Sequence, residues 1–359
     1  NPENKKTSRG GTRAGKPRTP LTPRQKALRI ACLVLAILAA VLVTVFAAYR
    51  LLVVKPSLPE PGAERPDEDQ NYEFGEGPRL SGDRKEEFYT FLLVGRDTGG
   101  GGNTDTLMVM AYDIPNQTLN VMSIPRDTMV NVPWDIKRIN SVYNYAPYYD
   151  KDGIQFLKEE VSYLIGFQPD YTIVVEWEAV GELVDAIGGV YFDVPRRMYY
   201  NDLSQHFKID LQPGYQLLDG NGAMGVLRWR HNSDDSGHIL NSGYAMGDLG
   251  RIKTQQAFLK EVVRKCLQPD VLLSNLMDYI SIFQKNVTTD LSVGNLAYFG
   301  KSAIGRLDMD SVEFVTLPNQ SAGDAHLLPV GSQIVEMVNE GFNPYQSDIS
   351  LRDLNLAGK

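Results

Sequence analysis

The chain has 359 residues, with 36 Lys and Arg against 44 Asp and Glu, a formal net charge of −8 at pH 7. Residues 1–54 hold ten basic residues and one acid, which leaves 26 basic and 43 acidic residues in 55–359. A region this acidic lacks the broad basic surface that nonspecific nucleic-acid binding requires, so the composition argues against that class of function.

The first predicted element is a membrane-spanning helix. Residues 30–49 read IACLVLAILAAVLVTVFAAY, without a charge, between Arg29 and Arg50. At about 1.5 Å per residue this stretch crosses the roughly 30 Å apolar core of a bilayer, and it is longer than the ~7–15 residues of a signal-peptide core. The positive-inside rule then predicts a basic cytoplasmic tail over 1–29, a membrane helix over 30–54 and an exterior remainder.

Residues 55–87 are predicted to form an acidic, proline-rich linker, because five prolines and many acids favour an extended, self-repelling chain. Residues 88–359 are predicted to be a single exterior domain. The cysteines are Cys32, inside the predicted span, and Cys266, so no disulfide can form within that domain. Its stability must therefore come from an apolar core.

Beyond the linker, short apolar runs alternate with stretches of helical spacing. This alternation favours an α/β layer architecture with a mixed sheet. Strands are predicted over 88–94, 105–112, 119–124, 171–177, 190–194 and 311–318, with the second and third joined as a hairpin. Helices are predicted over 153–166, 179–189, 249–267, 271–284 and 292–306.

Two aspartates bracket a glycine-rich turn. Asp97 ends the first predicted strand, Asp105 begins the next, and the segment TGGGGNT lies between them. Glycines allow a tight turn that brings the carboxylates to one end of the sheet, where they can hold a hard cation such as Mg²⁺. The alternative is a flexible turn that the aspartates merely cap.

Arginines recur at other predicted element ends. Arg126 follows Pro125, which stops a strand, and its alternative role is a turn pair with Asp127. Arg228 and Arg230 flank Trp229 in VLRWRH. If this segment is extended, both guanidinium groups face one side and suit a diphosphate, whereas in a helix they diverge and a solvated charged edge is the better interpretation.

Together these segments resemble the LytR-CpsA-Psr family of membrane-anchored cell-wall proteins. The resemblance covers nearly the whole exterior region and rests on five motifs in the family's order: VGRDT with TDTLMVM, LNVMSIPRDTMV, RINSVYNYA, IDLQPGYQLLDGNGAMGVLRWRH and GDLGRIKTQQAFL. It implies an α/β/α sandwich with a central mixed β-sheet, preceded by one N-terminal transmembrane helix. It also implies an apolar groove for a lipid.

The activity that the resemblance implies is a phosphotransferase. Such an enzyme takes a glycopolymer from a polyprenyl-pyrophosphate carrier and attaches it to a peptidoglycan hydroxyl through a phosphodiester. Asp97 and Asp105 would hold Mg²⁺, with Mn²⁺ as a substitute, and these two, Arg126 and Asp127 are the predicted catalytic residues. The predicted pyrophosphate-binding set is Arg96, Arg126, Arg138, Arg228, Arg230, Arg251 and Gln255.

The chain departs from the family pattern at three positions. Asn103 stands where an arginine is usual before TDT, Thr254 replaces the arginine of R-Q-Q, and Arg138 stands where a lysine is common. Asn103 and Thr254 each remove a cation from the predicted site. We hypothesise that Arg96 compensates for Asn103.

Three functions follow as expectations. The first is Mg²⁺-dependent transfer of a glycopolymer to peptidoglycan by a single-pass protein of the cell membrane, with a cytoplasmic N-terminus and an extracellular catalytic domain. The second is hydrolysis of the pyrophosphate link, with water as the acceptor. The third is noncatalytic binding of a lipid-linked glycan, which the two missing arginines favour.

Overall fold

The computed structural model describes residues 53–58, 77–96, 104–203, 207–323 and 326–357. Val54–Lys359 form one unit by their contacts. The predicted membrane helix over 30–54 lies outside the described residues except for residues 53 and 54, which are not helical. Among the residues that are described, no helix is both long enough and apolar enough to cross a bilayer.

A six-stranded mixed sheet organises the fold, in the order β10-β3-β2-β1-β4-β9. Its strands are β1 (Phe88–Arg96), β2 (Thr104–Asp113), β3 (Thr118–Ile124), β4 (Tyr171–Glu176), β9 (Val287–Thr289) and β10 (Glu313–Thr316). β1 runs antiparallel to β2 and parallel to β4, and the β2–β3 pair is the hairpin that the sequence predicts. β1 is buried along most of its length, as its apolar sequence requires for a central strand.

Helices cover both faces of this sheet. They are α1 (Ile139–Tyr145), α2 (Gly153–Ile165), α3 (Trp177–Ala186), α4 (Gly220–Arg228), α5 (Asp248–Cys266), α6 (Pro269–Ser274), α7 (Leu276–Asn286), α8 (Val293–Ala303) and α9 (Gly331–Gly341). One apolar cluster joins alternate strand residues to α1, α2 and α9, and another joins the opposite face to α8. The described chain is therefore a mixed α/β sandwich with a central mixed sheet, as expected.

Smaller strands form two antiparallel ribbons beside the main sheet. These are β5 (Val190–Val194) with β8 (Gly214–Leu218), and β6 (Met198–Asp202) with β7 (Phe207–Leu211). Both contribute to a cluster of buried residues with α3, α4 and α5. A further short pair joins β11 (Asn319–Ser321) to β12 (Leu327–Pro329). The ribbons thus give α4 and α5 an apolar support of their own.

Val54, the last residue of the predicted membrane helix, and the described ends of the predicted linker make specific contacts. The Val54 amide donates a 3.1 Å hydrogen bond to the Gly294 carbonyl oxygen, and Lys55 forms a 2.8 Å ion pair with Glu87. The Tyr171 hydroxyl donates to the Ser57 carbonyl oxygen. Residues 54–58 therefore lie against α8 and the start of the sheet.

Asp170 fixes the start of β4 against β1. Its buried carboxylate accepts hydrogen bonds from the Arg84 guanidinium at 2.7 and 2.8 Å, and from the backbone amide and hydroxyl of Thr90 at 2.8 and 2.9 Å. A buried carboxylate is tolerated only when it is paired and hydrogen-bonded in this way. The network links the segment before β1, the middle of β1 and the start of β4.

Replacing Asp170 with Ala is expected to lower the free energy of unfolding by about 3–5 kcal/mol, because Arg84 and Thr90 lose their acceptor. Urea denaturation of the variant measures this loss. The control is Glu313→Ala, an exposed carboxyl on β10, which should stay within about 0.5 kcal/mol. A loss below about 1 kcal/mol for Asp170→Ala would show that the network is not essential to the sheet.

Glu160 is a second buried acid, in α2. The helix starts at Asp152, whose carboxylate accepts hydrogen bonds from the amides of Ile154 and Gln155, and it ends at Gly166 with φ of 81°. Burial raises the pKa of Glu160 to about 7, while Lys151 lowers the pKa by a smaller effect. The folded protein therefore binds a proton at Glu160 between pH 4.5 and 7 that the unfolded chain releases.

Because the folded pKa is raised, the stability contributed by the neutral Glu160 side chain is present below pH 4.5 and is lost as the pH rises through 7. Glu160→Gln cannot ionise, so at pH 8 its free energy of unfolding should exceed that of the parent by on the order of 3 kcal/mol. Near pH 4.5 the two proteins should differ little. Denaturation from pH 4.5 to 8, with exposed Glu336→Gln as control, tests this, and parallel curves would contradict it.

Candidate functional site

The end of β1 meets the start of β2 at an irregularity in the ladder. Gly95 pairs with Thr106 and Arg96 pairs with Thr104, so Asp105 is an extra residue without a partner on β1. Such β-bulges are common beside active sites, where they redirect a side chain. The backbone of Asp105 thus lies next to the residue that precedes Asp97, while Asp97 itself lies outside the described residues.

The residues that flank Asp105 carry unsatisfied oxygen atoms. The hydroxyl oxygens of Thr104 and Thr106 are buried and have no hydrogen-bond partner among the described residues. Hydroxyl and carboxylate oxygens are the donor types that Mg²⁺ and Mn²⁺ accept. The two threonine hydroxyls are therefore compatible with a divalent cation, while the side chains of Asp97 and Asp105 lie outside what the structure describes.

A small cavity lies where β2, β3 and α5 meet. It is lined by Thr106, Leu107, Met108, Ser123, Ile124, Arg126, Arg251, Ile252 and Gln255. Three residues from the predicted pyrophosphate set, Arg126, Arg251 and Gln255, therefore border one space, although Arg126 is more than a hundred positions before the other two in sequence. Arg251 is only 4% exposed, so its charge is poorly screened by water.

Asp127 holds two arginines at the edge of this region. Its buried carboxylate accepts a 3.0 Å hydrogen bond from Arg138 and lies 3.6 Å from the Nε atom of Arg126. A turn after Pro125 and a hydrogen bond from the Ile139 amide to the Thr128 carbonyl oxygen bring the two segments together. The turn pair of Arg126 and Asp127, given above as the alternative to ligand binding, is present, and Arg138 also pairs with Asp127.

The extended interpretation of VLRWRH is wrong for its first half, because Arg228 is the last residue of α4. The chain becomes extended at Trp229, which is buried, and Arg230 follows as an exposed residue. The Arg228 guanidinium lies 4.6 Å above the ring of Phe207. The sequence leaves both an extended and a helical conformation open for this segment, and the structure places the end of a helix between the two arginines.

Burial lowers the pKa of His231, and the adjacent charge of Arg230 lowers it further. The imidazole is therefore neutral at pH 7 and adds no positive charge beside Arg230.

Gln255 connects α5 to the end of α4. Its side-chain amide donates a 2.8 Å hydrogen bond to the carbonyl oxygen of Leu227, next to Arg228. The residue before it, Thr254, is buried, and its hydroxyl donates a 3.1 Å hydrogen bond to the carbonyl oxygen of Gly250. Gln255 therefore positions the backbone beside Arg228. The replacement of an arginine by Thr254 leaves this position of the helix without a charge. Asn103 lies outside the described residues.

Arg96 makes two contacts that the sequence did not reveal. It donates a 2.9 Å hydrogen bond to the hydroxyl of Tyr143 on α1 and forms a 3.0 Å ion pair with Glu176 at the end of β4. The parallel register pairs Arg96 directly with Glu176. A signal for this pair existed, since Arg96 follows the predicted strand 88–94 and Glu176 lies near the end of the predicted strand 171–177, but only the strand order shows that the strands are neighbours.

A sequence model of the LytR_cpsA_psr family matches residues 62–342. The chain belongs to this family. The match includes the bulge at Asp105, the turn at Arg126 and the helix that carries Gln255, so the clustered residues all lie within the family region.

Named relatives have low identity and partial overlap. The regulatory protein MsrR of Staphylococcus aureus is 26% identical over 181 residues, which are 49% of this chain and 48% of the relative. A polyisoprenyl-teichoic acid–peptidoglycan teichoic acid transferase, TagU of Bacillus mycoides, is 29% identical over 212 residues, 58% of this chain and 62% of the relative. The chain spans about half the length of the first of these relatives.

Solved structures share the fold. A LytR-Csp2A-Psr enzyme from Actinomyces oris superposes with a TM-score of 0.55 at 18% identity, covering 75% of this chain and 97% of the other. TagT bound to LI-WTA superposes with a TM-score of 0.52 at 19% identity, covering 71% and 89% of the two chains. The central mixed sheet is thus the sheet of this structural family.

The pair of Arg96 and Glu176 should stabilise the strand ends. A double-mutant cycle of Arg96→Ala and Glu176→Ala, followed by urea denaturation, is expected to give a coupling energy on the order of 1 kcal/mol, because both groups are partly shielded from water. The more exposed pair of Lys151 and Glu159 is the control and should give less than about 0.5 kcal/mol. Equal coupling in both pairs would contradict a special role for Arg96.

Proposed function

We propose that this chain is a phosphotransferase that moves a glycopolymer from a polyprenyl-pyrophosphate carrier to peptidoglycan. The observation that carries the proposal is the convergence of Arg126, Arg251 and Gln255 around one small cavity, at the start of β2 and the end of β3. Guanidinium groups bind phosphate oxygens with two parallel hydrogen bonds, and a diphosphate offers several such oxygens. Arg138, held by Asp127, and Arg228, beside the Gln255 contact, extend the positive region.

Relatives give independent support for this class of substrate. TagU is named a polyisoprenyl-teichoic acid–peptidoglycan teichoic acid transferase. A structure with the same fold, TagT, contains LI-WTA, a lipid-linked wall teichoic acid. A lipid-linked glycopolymer as donor and peptidoglycan as acceptor agree with both.

In the proposed reaction, the acceptor hydroxyl oxygen attacks the phosphorus atom that carries the sugar. The bond from this phosphorus to the bridging oxygen breaks, and the lipid leaves as a monophosphate. The glycopolymer becomes joined to peptidoglycan by a phosphodiester. Arg126 and Arg251 stabilise the charge that develops on the phosphate oxygens, and such preorganised charge is commonly the largest catalytic contribution in this kind of transfer.

Asp97 and Asp105 are the proposed ligands of Mg²⁺ or Mn²⁺. When bound, the cation neutralises charge on the pyrophosphate and favours departure of the lipid phosphate. The proton of the acceptor hydroxyl must pass to a base. Asp127 already accepts a hydrogen bond from Arg138 and lies beside Arg126, so we assign it a positioning role and not that of the base.

The proposed location follows from the same reaction. A polyprenyl carrier and peptidoglycan meet at the outer surface of the cell membrane. A single-pass protein with a cytoplasmic N-terminus and residues 88–359 outside would place the cavity there.

Arg126→Ala should lower the rate of transfer by about 10²–10³-fold, because it removes one cation from the developing charge. The full chain in detergent is incubated with a synthetic lipid-pyrophosphate sugar, Mg²⁺ and peptidoglycan oligomers, and attached sugar is measured. Arg306→Ala, an exposed arginine remote from the cavity lining, serves as the control. Thermal unfolding confirms that both variants are folded.

Three outcomes separate the possible functions. Sugar joined to peptidoglycan through phosphate supports transfer. Release of free sugar phosphate by the parent chain supports hydrolysis instead. Intact lipid that stays bound in the presence of every substrate supports a binding protein, and either of these last two results rejects the proposal.

A further inference from the structure

The ribbon of β5 and β8 presents an aromatic surface to solvent. Strand alternation buries Val190, Phe192 and Val194 and leaves Tyr191 outside. Tyr191 is 55% exposed and Tyr215 on β8 is 74% exposed. Their rings stack with centroids 5.4 Å apart and an interplanar angle of 13°. This pair, with exposed Leu217, is called the tyrosine platform below.

Register explains why these side chains meet. Tyr191 pairs directly with Leu217, and Tyr215 pairs with Asp193, so the two tyrosines are diagonal neighbours on the outer face. Diagonal cross-strand positions are within reach of aromatic side chains. Large exposed aromatic groups leave apolar area in contact with water, and a surface of this kind commonly marks a binding site.

A cleft of about 620 Å³ with a mixed polar and apolar lining adjoins the platform at Leu217. Its lining includes Asp185, Lys208, Asp210 and Asn221. The carboxylate of Asp185 already accepts a hydrogen bond from the Gly220 amide at 2.7 Å, which orients it at the start of α4. Carboxylate, amide and ammonium groups provide the acceptors and donors that hydroxyl groups need.

The combination suits a sugar chain. One face of a pyranose ring consists of C–H groups, which pack against an aromatic ring through dispersion and the hydrophobic effect. The hydroxyl groups at the ring edge need polar partners, and the cleft supplies them. We propose that the tyrosine platform and the adjoining cleft form a binding site for an uncharged sugar chain.

The charged side chains of the cleft determine which class of polymer the site can bind. Asp185, Asp210 and Asp219 line the cleft, Asp193 lies on the platform face, and Lys208 is the cation in that lining. Asp210 is paired with Arg197 at 2.6 Å. The remaining excess of carboxylates repels a polymer of phosphodiesters. The site therefore takes a neutral glycan and rejects a poly(glycerol phosphate) backbone.

The inference deepens the proposed function, because it assigns a sugar-chain subsite to the same domain. The platform and the arginine cavity lie at different ends of α4: Asp219 and Asn221 at its start line the cleft, and Leu227 at its end contacts Gln255. At about 1.5 Å per residue these ends are separated by roughly 10 Å. A chain of a few sugars can span that distance.

Calorimetry of the full chain in detergent with a β-1,4-linked N-acetylglucosamine hexamer tests the site. The double variant Tyr191→Ala/Tyr215→Ala should bind the hexamer at least about tenfold more weakly, because it loses the stacking surface. Tyr148→Ala removes another highly exposed tyrosine and should leave the affinity unchanged. Thermal unfolding checks that both proteins are folded.

Equal affinity in the double variant and the parent, or no binding by the parent at millimolar hexamer, overturns the proposal. Tighter binding of poly(glycerol phosphate) than of the hexamer overturns the assignment to an uncharged chain. Arg126→Ala should retain hexamer binding, since it lies outside the cleft. Failure of the sugar site is therefore distinguishable from failure of the phosphotransferase proposal, which the transfer assay tests separately.

Discussion

Repulsion between closely placed guanidinium groups is the constraint on which the candidate site depends. Arg126 and Arg251 border the same small cavity, and Arg251 is almost completely buried. Like charges in such surroundings are weakly screened. Asp127 offsets part of this cost by lying between Arg126 and Arg138. The fold therefore keeps a carboxylate where the guanidinium groups converge.

A similar balance operates at the end of the central strands. Arg96 would add another positive charge to the same edge of the sheet, but Glu176 pairs with it. The hypothesis that Arg96 replaces the charge lost at Asn103 remains a prediction, and the ion pair limits how much charge Arg96 can contribute. Gln255 positions the backbone beside Arg228 without adding a charge. Glu176 thus holds Arg96 in place, and Gln255 holds the backbone that carries Arg228.

Much of the fold was predictable because its signals are local. Strand β5 over Val190–Val194 was predicted with its observed bounds, since apolar and polar residues alternate there and glycines precede it. The β2–β3 hairpin and helix α5 were likewise predicted to within two residues. The cluster of Arg126 with Gln255 followed from the family resemblance, because no local pattern relates positions so far apart.

Nonlocal contacts account for what was not predicted. The pair of Arg96 and Glu176 requires β1 and β4 to be parallel neighbours. The sequence of neither strand indicates this arrangement by itself. The conformation of VLRWRH is ambiguous in the sequence because a helix ends inside it. In the structure that helix, α4, ends at Arg228. Residues 55–58 are predicted to be spacer by composition, yet a hydrogen bond from Tyr171 to Ser57 attaches them to the domain and an ion pair joins Lys55 to Glu87. Composition gives no information on such individual contacts.

The bulge at Asp105 has a consequence for how this sequence can change. The register between β1 and β2 is continuous from Gly95 opposite Thr106 to Phe88 opposite Asp113. Side chains within this stretch, all on one side of the bulge, fix that register. Glycines 99–102 lie on the other side. Insertions or deletions among them can accumulate without turning a core side chain outward, so this segment can diversify while the sheet stays the same.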